Sequence, residues 1–172
     1  MFYKTTKDFF LKKTVNKRLL NSQLGLSQGK INSIGIVVDE KYFTNRMDLL
    51  QAIASNGFSK EHISVLVFKD RIKKNDAIPE PFYSYSDVTF FGAVKKQSVV
   101  DFVAQPFDLL ISYYDIERPS LTYVTTFSNA KFKVGFESVN NQMNHLLIAT
   151  ETKNYKTFVS ELFKYLNILN KI

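Results

Sequence analysis

The chain has 172 residues, 45% hydrophobic and 15% aromatic, enough for one packed domain and too apolar for a disordered chain. It has no Cys, which excludes a disulfide scaffold, a thiolate metal site and a thiol nucleophile together. The net charge of +7 is lopsided: residues 1–30 carry +6, with Asp8 their sole acid, and the rest of the chain carries +1.

Such an asymmetry points to a nucleic acid or another anionic surface. The lead segment "KDFFLKKTVNKRLL" (7–20) interleaves its cations with Phe, Leu and Val. As a helix it aligns Leu11, Val15 and Leu19 on one row and Lys13 and Lys17 on another. That pattern fits a core helix with a solvated basic face, an RNA-binding arm, or a helix lying on an anionic membrane. Charges at Asp8, Lys12 and Lys13 interrupt the apolar run that a signal peptide requires. No apolar run approaches the roughly 18 residues of a membrane span, and a cytoplasmic location is expected.

From residue 31 short apolar runs alternate with helical spacing. "INSIGIVVD" (31–39) and "HISVLVFKD" (62–70) predict buried strands around a helix in "NRMDLLQAIASNGF", with Met47, Leu50, Ile53 and Ala54 on one face. Residues 71–87 show no period and predict an irregular connection; "VTFFGAV" (88–94) predicts an edge strand. A short helix in "KQSVVDFVAQ" ends at Pro106, and "FDLLISYYD" (107–115) is the strongest strand. "RPSLTYVTTFSNA" predicts a helix with Ser120 as a candidate cap. "KFKVGF" (131–136) and "HLLIAT" (145–150) predict strands that meet without a helix and so pair antiparallel at one edge. Gly135 within a strand marks a bulge or a close backbone approach. A stripe from Tyr155 to Leu169 predicts the closing helix. The expected fold is α/β: a three-layer, Rossmann-like or flavodoxin-like, mostly parallel sheet, with a basic N-terminal helical arm (1–30) and a single domain (31–172).

In such sheets ligands sit beyond the carboxyl ends of the strands. Those ends carry Asp39-Glu40, Asp70-Arg71 and Asp115 through Arg118. Three carboxylates there can coordinate Mg²⁺, although Asp after a strand is more often a turn residue. A helix start at Ser120 with Arg118 beside it suits an anion. Neither G-x-G-x-x-G nor G-x-x-x-x-G-K-[ST] occurs, so no nucleotide cofactor is expected. His62 and His145 each precede a strand and have no motif partner.

At "SIGIVVDE", "VLVFKD", "FDLLISYYD", "KFKVGF" and the closing "ELFKYLNILNKI" the chain resembles an uncharacterised family of Bacteroidota proteins, a domain of unknown function. The resemblance implies a cytosolic, single-domain protein and brings no catalytic residues with it.

The expected function is RNA binding without catalysis, with ribosomal RNA and neighbouring ribosomal proteins as the expected partners of a ribosome-associated component. Lys4, Lys7, Lys12, Lys13, Lys17 and Arg18 are its expected contacts, with Lys73, Lys74, Lys95 and Lys96 as a second set. The alternative is a small-ligand or Mg-dependent enzyme or binding domain at the strand ends, using Asp39, Asp115, Arg118 and Ser120. No metal ligand set and no catalytic residue are assigned.

Overall fold

The computed structural model describes residues 2–21, 24–25, 29–70, 72 and 80–172, with side chains from residue 6 onward. Lys73 and Lys74, and the side chain of Lys4, lie outside the described residues.

Six parallel strands form one sheet: β1 (Ile34–Asp39), β2 (Ile63–Lys69), β3 (Phe82–Ser84), β4 (Leu109–Tyr113), β5 (Phe132–Phe136) and β6 (Leu146–Ile148). Their order is β3-β2-β1-β4-β5-β6, that of doubly wound, Rossmann-type sheets. The helices are α1 (Phe2–Asn21), α2 (Arg46–Ala54), α3 (Gln97–Ala104), α4 (Pro119–Phe127) and α5 (Tyr155–Ile168).

β1 and β4 are buried at every position, and their side chains alternate between two cores. Ile34, Ile36 and Val38 of β1, with Leu109, Ile111 and Tyr113 of β4, face α2 and α5. Val37 and Leu110 face the other way, toward α1, α3 and α4. From the centre the chain steps outward in opposite directions, so one crossover hand places α2 on one face and α4 on the other. Gly35 leaves room for a ring: a Cβ there would stand 2.6 Å from Phe107.

Three expectations about elements are corrected. Residues 88–94 form a tight turn closed by an antiparallel Val88–Val94 bridge, with Gly92 at φ +75°; the edge strand is β3, six residues earlier. β6 pairs parallel to β5, in the register Val134↔Leu146. A 3-10 turn at Asn141–Met143 supplies the crossover, and Val139 and Met143 are buried in the core beside α4. On α2 the buried residues are Leu49 and Ile53, and Met47 is exposed.

α1 packs along α4, burying Leu11 completely and Val15 almost so. α4 is consequently buried nearly all round, from Pro119 to Thr126 except at Tyr123. The 88–94 turn clamps the other side of α1, since a Cβ on Gly92 would lie 2.7 Å from the Leu11 backbone nitrogen. Among the described residues no helix is long and apolar enough to cross a membrane.

Candidate functional site

The strand ends and the outer face of α1 hold the residues singled out from the sequence. At the strand ends Arg118 occupies the N-cap of α4, and Ser120 is the second residue of that helix rather than its cap. Arg118 is 7% exposed and its guanidinium reaches back across the sheet. Nη1 donates to both Asp39 carboxylate oxygens, at 3.1 and 2.9 Å, and Nη2 pairs with Asp70. Its Cζ lies over the rings of Phe68, at 4.6 Å, and Tyr85, at 5.5 Å. Ser120 is buried in the same cluster, its carbonyl accepting from the Tyr83 hydroxyl at 3.0 Å. Burial pushes the Tyr85 hydroxyl up to about 12, and the Asp8 carboxylate of α1 adds to the shift.

Glu40, Asp70 and Asp115 are engaged as well. Glu40 pairs with Arg46 and Lys69, and Asp70 also meets Lys41 at 3.4 Å. Asp115 is turned away from Arg118 and accepts from the backbone and hydroxyl of Thr152, at 2.9 and 3.1 Å. The structure therefore gathers Asp39, Arg118 and Ser120 and leaves Asp115 apart. Two described clefts lie elsewhere. One of about 770 Å³ follows β2 below β3 and is lined by Val65, Pro81, Asp101 and Phe102 among others. A second of about 320 Å³, at the amino ends of the strands, includes Lys30, Asn56 and His62.

On α1 the residues facing out are Phe9, Lys12, Lys13, Asn16, Lys17 and Leu20, with Arg18 at one side of the row. None of Lys12, Lys13, Lys17 and Arg18 has a carboxylate partner among the described residues. Arg18 lies over the Phe127 ring at 5.7 Å. Lys7 is half-buried and donates to the Tyr85 carbonyl at 3.1 Å. Lys95 is exposed just past the Val88–Val94 bridge, whereas Lys96 pairs with Asp87 at 3.6 Å and covers the Phe82 ring at 3.9 Å.

Sequence reasoning missed two features. Phe9, Phe10, Phe90 and Phe91 gather beside the lysine row, with Phe10 in ring contact with each of the others at 5.6 to 6.1 Å. Two Phe-Phe pairs in the sequence were the available signal. Lys133, on β5 beneath α4, is 6% exposed and donates to the Thr125 carbonyl at 2.7 Å. Burial pushes its ammonium down to about 8, and the nearby Arg18 adds to the shift. His145 is a bridge: Nδ1 accepts from the Lys133 amide and Nε2 meets the Gly25 carbonyl at 3.0 Å. Gly135 admits the Asn144 side-chain amide, whose Nδ2 stands 2.5 Å from where a Cβ would be, so what comes close there is a side chain and not the backbone expected.

No curated protein and no solved structure matches the chain. A family model described as "Family of unknown function (DUF6913)" matches residues 7–169, from the second turn of α1 to the end of α5. With all six strands and the α1 face inside that match, the chain belongs to the DUF6913 family.

Proposed function

We propose that this protein binds RNA through the outer face of α1. The observation that carries the reading is the row Lys12, Lys13, Lys17 and Arg18, cationic, exposed and without carboxylate partners among the described residues. Buried Leu11 and Val15 hold the row on a fixed helix, so the backbone positions that carry its charges are set before any ligand arrives. Each lysine that meets a phosphate releases condensed counterions, which gives affinity without sequence specificity. Lys95 extends the same charge onto the neighbouring turn. Ribosomal RNA is the partner to try first, being abundant, structured and rich in exposed phosphate.

The strand-end alternative has weaker support. Asp39, Asp70 and Arg118 are spent on one another, and the two clefts described above touch neither Asp39 nor Arg118. A low-salt filter-binding assay with ribosomal RNA tests the proposal. The variant K12E/K13E/K17E should lose at least about tenfold in affinity, because three phosphate contacts become repulsions. Its melting temperature should move little, since all three side chains are exposed. Equal affinity in variant and wild type rejects α1 as the interface.

A further inference from the structure

An aromatic cluster stands beside the lysine row. Phe91 is 72% exposed, Phe9 62% and Phe90 45%, an unusual price in apolar surface for one small region. These rings are held in place. Phe10 is half-buried and anchors the group, with Gly92 of the facing turn packed on its backbone. The contacts of Phe10 with Phe9 and Phe91, and of Phe90 with Phe91, are edge-on and that of Phe10 with Phe90 is tilted, so no two of the four rings are stacked on each other. Exposed rings therefore stand at one end of a row of cations that have no carboxylate partner among the described residues, with Lys12 and Lys13 one turn from Phe9.

We infer that the ligand is single-stranded RNA, with unpaired bases stacked on Phe9 and Phe91 while its backbone runs along Lys12, Lys13 and Lys17. This rests on the RNA reading above and narrows it. A duplex offers phosphates to the lysines but keeps its bases stacked on each other, out of reach of the rings. A single strand supplies both, and stacking on a ring tolerates any base. An anionic membrane also combines charge with apolar matter, and the geometry is against it. The outer face of α1 reads Phe9, Lys12, Lys13, Asn16, Lys17 and Leu20, so its two apolar residues stand at opposite ends with cations between them. A helix lying in the interface needs a continuous apolar face there.

The test compares wild type, F9A/F91A and K12E/K13E/K17E on three probes: a 20-nucleotide single-stranded RNA, a duplex of equal length, and vesicles of phosphatidylcholine with phosphatidylserine. Both phenylalanines are exposed, so F9A/F91A should keep the wild-type melting temperature, which is checked first. It should bind the single strand roughly 5- to 100-fold more weakly for each stacked base lost, and the duplex within about twofold of wild type. The lysine variant should lose both nucleic acids. If F9A/F91A binds the single strand as wild type does while the lysine variant fails, stacking is overturned and the RNA reading stands. If wild type binds neither nucleic acid, both fall. Phenylalanine-dependent binding to the vesicles, without preference for the single strand, overturns the inference in favour of a membrane surface.

Discussion

Arg118 shows how one side chain can fill the place where a fold of this type usually leaves room for a ligand. The strand order reverses between β1 and β4, and the crevice beyond their carboxyl ends is the customary ligand position. Here Arg118 spans it, tied to Asp39 and Asp70 and covered by Phe68 and Tyr85. Asp39 is 1% exposed, so removing the guanidinium leaves a carboxylate buried without its counter-charge. Arg118→Met should lower unfolding free energy by about 3–5 kcal/mol in a urea titration. A loss below about 1 kcal/mol would mean that Asp39 finds water or another cation. Lys133 acts in the opposite sense. Its folded value of about 8 lies below the ordinary 10.5, so from pH 8 to 10 the unfolded chain holds more protons and stability rises with pH. Above pH 10 the rise is opposed by Tyr83 and Tyr85, whose hydroxyls burial pushes up. Lys133→Met should abolish the rise between pH 8 and 10; a rise of the same size in the variant would assign it to another group.

At the scale of elements, α1 is part of the core on its inner side and an open surface on its outer side. Deleting residues 1–20 removes Leu11 and Val15 from burial, a loss of roughly 3–6 kcal/mol at about 1.5–3 kcal/mol for each side chain. It also uncovers α4, whose polar and apolar sides are both buried. Against a total of about 5–15 kcal/mol, the truncated chain should unfold at much lower temperature or lose its cooperative transition. A truncated domain that melts as wild type does would show that α1 contributes no stability. Most elements could be read from the sequence because β1, β2 and β4 are short, mostly apolar runs with both faces buried. β3 could not: Phe82–Ser84 is three residues long, follows a proline, and owes its pairing to Val67–Lys69. The 88–94 segment has strand-like residues, but Gly92 at positive φ folds them into the clamp on α1. β6 looked like a hairpin partner of β5 because its crossover contains no α-helix, and buried Val139 and Met143 do that packing instead.

For the whole molecule, the candidate site was legible in charge and illegible in shape. The excess of +6 in residues 1–30 could be counted from the sequence, and Lys12, Lys13 and Lys17 stand exposed on one helix face. That Phe90 and Phe91 return beside Phe10 depends on a contact across some eighty residues, which local periodicity does not carry. The same holds for Asp39, Asp70 and Arg118, brought together by the parallel register of β1, β2 and β4. The central claim is that the α1 lysines meet RNA phosphates. It is tested most directly by the salt dependence of single-stranded RNA binding in wild type and in K12Q/K13Q/K17Q. Each phosphate contact adds about 0.7 to the steepness of log K against log salt for a single strand. The account predicts a slope shallower by about 2 in the variant, and an unchanged slope would contradict it.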